Sequence, residues 1–278
     1  METKLLFIQF LHPGGEHKSD PGRKDIKSWN TGDHKRKFMV NGGRYFSGGQ
    51  IVEESLSFWG EWEPQSTVTR IENPIRDGGP RYAHRPYYIL PESLRNLQNT
   101  DPFVFGSQFH YTWCKQLTKK GPTQLRYLDR GSVILFGSCV RERFALDTVF
   151  VVDSWIDYTL PNHNHALDDR ISQTYEEVTI CRIGGCHSNR LYFGATFDNP
   201  VEGMFSFFPC CPHKEMPQGF VRPTISLPCV VSDRNKRGRK YTYGTTAEFK
   251  IHWKSVVDQV ERQNLSLGVY TELPPKHK

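Results

Sequence analysis

The chain is 278 residues long, 37% hydrophobic and 24% charged, which excludes a disordered segment. No stretch approaches the ~20 apolar residues of a membrane-spanning helix. The short apolar run Leu5–Phe10 lacks a small-residue cleavage site and leads straight into His12-Pro13-Gly14-Gly15, so a soluble, cytoplasmic protein with no membrane partner is expected. The net charge of +6 fits an anionic partner without requiring one, and the 13% of aromatic residues can build a core despite a mean hydropathy of -0.59.

Lys4–Leu11 reads as a buried first strand. Residues 13–35 follow as a long loop of glycines, prolines and charges, long enough to suggest function. His12 and His34 flank it as candidate general bases, and Trp29, Asn30, Lys35 and Arg36 are candidate ligand contacts, with glycine-rich backbone suited to an anion-binding nest. The Gly-Gly pair is not a phosphate-binding P-loop, because no Gly-Lys-Ser/Thr follows it. The basic runs His34–Lys37 and Arg234–Lys240 fit either solvated loops or phosphate contacts. Asn41-Gly42-Gly43 between Phe38–Val40 and Arg44–Phe46 predicts a hairpin turn.

The next segment, Phe58–Ser66, alternates. As a strand it would place Trp59, Glu61 and Glu63 on one face and Trp62 on the other, with the two carboxylates ~7 Å apart. That spacing suits acid–base work or a divalent metal, and Trp59 or Trp62 could stack on a base. The bland alternative puts the indoles in the core and the acids in solvent. Further on, Asp101 before Pro102 initiates a turn, and Phe103–Trp113 is aromatic enough to wall a pocket, with Gln108 and His110 as its polar members and Trp113 as a stacking ring. Core packing is the other use of so many rings.

The strongest strand signals are Ser132–Gly137 and Asp147–Val152, both rich in β-branched and aromatic residues. The stretch Leu125–Asp153, with its leucines, Gly131 and two apolar strands, resembles the PUA-like barrels of the EVE, ASCH and YTH type, and the nucleotide-modification-associated domains of prokaryotes. It departs at Ser132, where those families usually carry Asp. The resemblance implies binding of RNA, DNA or a modified base by an aromatic pocket, and carries over no catalytic residue.

Seven cysteines, an odd number, argue against a disulfide framework. Cys181, Cys186 and His187, with Cys210, Cys211 and His213, offer more than the four ligands of a tetrahedral zinc, but lack the usual spacing, and adjacent cysteines on a strand point to opposite faces. Near the end, Thr246 caps a predicted helix over Ala247–Gln263 with Phe249, Trp253, Val256, Val257 and Val260 on one face.

These readings assemble into one α+β domain over residues 1–278: a curved, mostly antiparallel sheet or β-barrel with one long C-terminal helix. Three functions fit. One is nucleic-acid or nucleotide binding, extending to recognition or processing of modified bases. Another is hydrolysis or group transfer on a nucleotide-like substrate through His12, His34, Glu61 and Glu63. The last is a structural protein without a pocket.

Overall fold

The computed structural model describes residues 2–19, 35–75, 77–90, 100–160, 166–167, 169–183, 188–231 and 238–277. Trp29, Asn30, His34, Cys186, His187 and residues 234–237 of the second basic run lie outside them. In chain order the elements are β1 (Leu6–His12), β2 (Lys37–Ser47), β3 (Gln50–Gly60), β4 (Ser66–Arg70), β5 (Tyr82–Pro86), β6 (His110–Tyr111), β7 (Leu117–Thr118), β8 (Gly121–Pro122), β9 (Val133–Val140), β10 (Arg143–Thr159), α1 (Gln173–Val178), β11 (Ser188–Gly194), β12 (Phe208–Pro212), β13 (Gly238–Tyr243), α2 (Thr246–Glu261) and β14 (Ser266–Thr271).

The expected single curved sheet or barrel with one C-terminal helix is corrected by this arrangement. Strands make up 45% of the structure and helices 13%, and no closed barrel is present among the described residues. There are two six-stranded sheets, ordered β13-β1-β9-β10-β11-β6 and β14-β12-β3-β2-β5-β4, with β14 also pairing with β2, and a small β7–β8 ribbon. Helix α2 starts one residue earlier than expected, behind a capping box of Thr245 and Glu248, and it is neither the last element nor the sole helix, since β14 follows and α1 precedes it.

The first sheet is buried on both faces, which is why β1, β9 and β10 read as near-continuous apolar runs. Leu6, Ile8 and Phe10 of β1, with Ile134, Phe136, Phe150 and Val152, pack on one side, toward Met39, Leu56 and Phe58 of the second sheet. Phe7 and Leu11, with Val133, Leu135, Val149 and Val151, pack on the other, where Phe249, Trp253, Val256 and Val260 of α2 cover them. The two faces follow from the two-residue period of a strand.

The turn expected at Asn41–Gly43 is absent, because β2 runs straight through it and pairs with β3 along its whole length, from Lys37↔Gly60 to Ser47↔Gln50. Gly48 and Gly49, with φ of 56° and 85°, make the two-residue turn instead. Gly42 and Gly43 serve close packing: a Cβ on Gly43 would overlap the carbonyl oxygen of Tyr270, where β14 lies against β2. β3 ends at Gly60, so Glu61 and Glu63 follow the strand rather than share its face.

β1 and β9 are parallel, ending side by side at His12↔Ser138, and β13 begins at the same rim, with Gly238 opposite Leu11. Loops after the carboxyl ends of parallel strands are where open sheets present functional groups. The candidate site lies at this rim.

Candidate functional site

The rim is built on a chain of buried polar groups. His12, the last residue of β1, is 6% exposed and sits edge-on to Phe10, ring centroids 4.6 Å apart. Its Nδ1 lies 3.2 Å from Glu61 Oε2, and its Nε2 lies 3.4 Å from Cys114 Sγ. Arg36 Nη1 donates to the same Glu61 oxygen at 2.7 Å, and Arg36 Nε donates to Asp147 Oδ2 at 2.8 Å. On the far side of Asp147, Arg222 Nη1 donates to Oδ1 at 3.2 Å and to Ser138 Oγ at 3.1 Å, and its Nη2 donates to the carbonyl of Gly14. The order is therefore Cys114, His12, Glu61, Arg36, Asp147, Arg222.

Two details of the backbone create this order. Leu146 faces Gly137 and Thr148 faces Phe136, so Asp147 is the extra residue of a β-bulge in β10. A bulge re-aims its side chain, and this one delivers a carboxylate to two arginines. Asp101 organises the other end. It is buried and accepts the backbone N–H groups of Thr112, Trp113 and Cys114, which fixes the loop that holds the thiol against His12. Burial pushes the Asp101 carboxyl up to about 7, with the Glu61 charge nearby adding to the effect. Asp101 is thus a loop anchor rather than part of a base-binding wall.

The charges decide the protonation pattern. Burial works to lower the pKa of Arg36, but Glu61 and Asp147 outweigh it and hold it above its ordinary value. Burial lowers that of Arg222, against the pull of Asp147. Two guanidinium groups therefore face the carboxyl groups of Glu61 and Asp147, in the geometry of charge-assisted hydrogen bonds. His12 lies between the two groups, with Nδ1 3.2 Å from the Glu61 carboxylate and Nε2 facing the Cys114 sulfur. Burial pushes the Cys114 thiol well up, reinforced by Asp101 and Glu61 and opposed by Lys115 and Arg36, so it rests as S–H.

Beyond Arg222 opens a cavity of about 880 Å³, lined by Gly14, Lys18, Trp59, Arg81, Arg141 and Arg222 among others. The Arg222 guanidinium lies over the Trp59 ring, 5.3 Å from its centroid. Glu16 accepts the backbone N–H groups of Arg81 and Tyr82 and so holds the loop 79–82 against the first loop.

The structure thus brings His12 and Glu61 together, along with Arg36, but in other roles than the sequence reading gave the rest. Arg36 and Lys37, read as part of a solvated or phosphate-binding run, are buried, Lys37 donating to the Pro64 carbonyl and Ser66 Oγ. Lys35 lies half-buried beside Gly15. Trp62 is sealed in the core with Nε1 on the Gln65 carbonyl, and Trp59, 3% exposed, donates to the Phe220 carbonyl. Neither indole is placed to take a stacked base. Glu63 is buried with its backbone N–H on Thr100 Oγ1. Gln108 donates to the Gly194 carbonyl, and Trp113 is half-buried with its backbone N–H on Asp101. His110 is stacked on Tyr175 at 4.6 Å and buried, which pushes its pKa down to about 3.

Those of the expected zinc ligands that lie among the described residues do not converge. Cys210 packs into one core cluster and Cys211 into the other, on opposite faces of β12, while His213 Nδ1 is 2.8 Å from Ser57 Oγ. Cys181 is exposed. Among the described residues no three His, Cys, Asp or Glu side chains are grouped to hold a metal ion. Nor, among those residues, is any helix long and apolar enough to cross a membrane.

The sequence reading missed Cys114, Asp147 and Arg222. Asp147 carried a signal, as an isolated acid at the head of an apolar strand. Cys114 followed an aromatic run and looked like another core thiol. Family models, curated proteins and solved structures yield no match to this chain.

Proposed function

We propose that this protein is a group-transfer or hydrolytic enzyme for a nucleotide-like substrate, with Cys114 as nucleophile, His12 as general base and Glu61 as the residue that orients His12. The single observation carrying the reading is the run of contacts from Cys114 Sγ to His12 Nε2 (3.4 Å) and from His12 Nδ1 to Glu61 (3.2 Å), closed by Arg36 at 2.7 Å. A nucleophile, a base and a carboxylate that fixes the base's tautomer are the working parts of covalent catalysis, and their geometry recurs on unrelated folds. The cavity at the Arg222 end of the relay, where Lys18, Arg81, Arg141 and Arg222 outnumber Glu16 and Asp77, supports a phosphate-bearing substrate.

In this mechanism the Cys114 sulfur bonds to an electrophilic carbon as the bond from that carbon to its leaving group breaks. The thiol proton passes to His12 Nε2 and from there to the departing group. In hydrolysis a water then gives a proton to the same nitrogen, its oxygen displaces the sulfur, and the thiolate takes that proton back. The raised thiol pKa means that the proton moves with the attack rather than before it.

Iodoacetamide labelling, mapped by mass spectrometry, tests this without a known substrate. Exposed Cys181 serves as the internal reference and reports any unfolding. Cys114 labelling is expected to slow about tenfold or more in His12→Gln and to slow in Glu61→Gln, with Cys181 unchanged. Nucleoside mono- and triphosphates are expected to protect Cys114. Equal rates in wild type and His12→Gln, or no protection by any nucleotide, would overturn the reading.

The cavity favours a second reading, nucleotide binding without turnover, with the phosphate on Arg81, Arg141 and Arg222. The two separate cleanly: Arg81→Ala and Arg141→Ala would weaken binding in the second case, while Cys114→Ser would change nothing.

A further inference from the structure

Pro102–Leu128 contains no Asp or Glu, and neither does Arg234–Ala247. The fold lays residues 238–247 of the second segment beside the first. Arg239 Nη1 donates to the Lys115 carbonyl at 2.9 Å, Thr123 Oγ1 donates to the same oxygen at 2.7 Å, and Gln124 Nε2 donates to Tyr243 Oη at 2.8 Å. On edge strand β13, Arg239, Tyr241 and Tyr243 share one face by the two-residue period. Lys4 Nζ stands over the Tyr243 ring at 6.0 Å, and Tyr243 is 59% exposed.

The resulting strip carries Lys4, Lys115, Lys119, Lys120 and Arg239, with Tyr241 and Tyr243 between them. Lys4, Lys115, Lys119 and Lys120 are exposed, and Arg239 is half-buried. Lys119 and Lys120 sit at the tip of the β7–β8 ribbon, far from any core. One end of the strip meets the relay directly. Lys115 follows Cys114, and Arg239 pairs with Phe10, whose ring touches His12.

From this juxtaposition we infer that the strip holds a single-stranded nucleic acid, so that the nucleotide presented to Cys114 and His12 belongs to a strand. Cations spaced along an edge match successive phosphates, and exposed Tyr243 among them offers a stacking face that any base can use. A free nucleotide needs no such length of charge. The inference rests on the reading of the Cys114–His12 relay as a nucleotide-processing site and names its substrate class.

The test is fluorescence anisotropy with labelled twelve-nucleotide single strands, DNA and RNA, titrated against sodium chloride. Five phosphate contacts predict a slope of log affinity against log salt of about -3.5, at about -0.7 per contact. Lys119→Glu with Lys120→Glu is expected to weaken binding at least tenfold and to flatten the slope by about 1.4, the share of two contacts. Both positions are exposed, and iodoacetamide labelling of Cys114 should be unchanged in this variant, which shows the relay intact. Wild-type affinity in the double variant overturns the inference. So does tighter binding of the matched duplex, or equal binding of poly-glutamate, which would make the partner an acidic protein. Failure here with a His12-dependent Cys114 leaves the proposed function standing for free nucleotides. Strand binding with an inert Cys114 removes that function alone.

Discussion

Replacing Asp147 by Asn removes one charge from a site where two arginines face two carboxylates. Arg36 is 2% exposed and Arg222 7%, so neither can turn to water for compensation. Arg36 keeps Glu61, but Arg222 loses its carboxylate contact at 3.2 Å, and the cluster gains a net positive charge. Leaving one member of a buried ion pair uncompensated costs about 3–5 kcal/mol. For a chain of this size each kcal/mol lowers Tm by about 2–4 °C, so a fall of about 6–20 °C is expected by differential scanning fluorimetry. Adding Arg222→Met to Asp147→Asn should recover part of that loss, because the stranded cation is gone. Asp157→Asn is the control: its pair with Arg190 is as short, 2.8 and 2.6 Å, but Asp157 is half in solvent, and the expected cost is below about 1 kcal/mol. If Asp147→Asn costs no more than Asp157→Asn, the buried cluster does not hold the rim together and the argument from it is wrong.

Protonation of His110 should set part of the acid stability. Its pKa falls from 6.5 unfolded to about 3 folded, so below pH 6.5 the unfolded chain binds a proton that the folded one does not. Relative to His110→Phe, wild type should lose about 1.4 kcal/mol per pH unit between pH 6 and 4, read from urea midpoints. Parallel pH curves for the two proteins would refute this. Gly43→Ala pushes a methyl into the Tyr270 carbonyl and should cost at least about 1–3 kcal/mol, whereas Gly238→Ala, with open space around its Cβ position and no positive φ, should cost well under that. Comparable losses at the two positions would mean that Gly43 is not a packing glycine. Thr245→Ala removes the capping box of α2 and should cost about 1 kcal/mol in the same urea assay, with a neutral result placing the helix start elsewhere.

The strands β1, β9 and β10 and the amphipathic face of α2 were legible because their signals are local. A strand buried on both faces must be apolar at every position, and a helix covering a sheet must repeat its apolar residues every third or fourth place. His12 and Glu61, named together as candidate catalytic residues, do lie in contact, whereas the indoles expected to stack on a base beside them are buried. What the pattern misjudged was long-range. Asn41–Gly43 looks like a turn until β14, more than two hundred residues later, is seen to need the space above Gly43. Arg36 and Lys37 look solvated because their partners are remote: Glu61 stands 25 residues away and Asp147 stands 111 away, the latter aimed by a bulge that no single residue announces. Composition alone set the core's supply of rings and the excess of positive charge, since both are sums over residues. Which charges are buried, which glycines are crowded and whether the sheet divides in two depend on partners brought together only when distant strands pair, and the free energy of burying a charge is decided by those partners rather than by its neighbours in the chain.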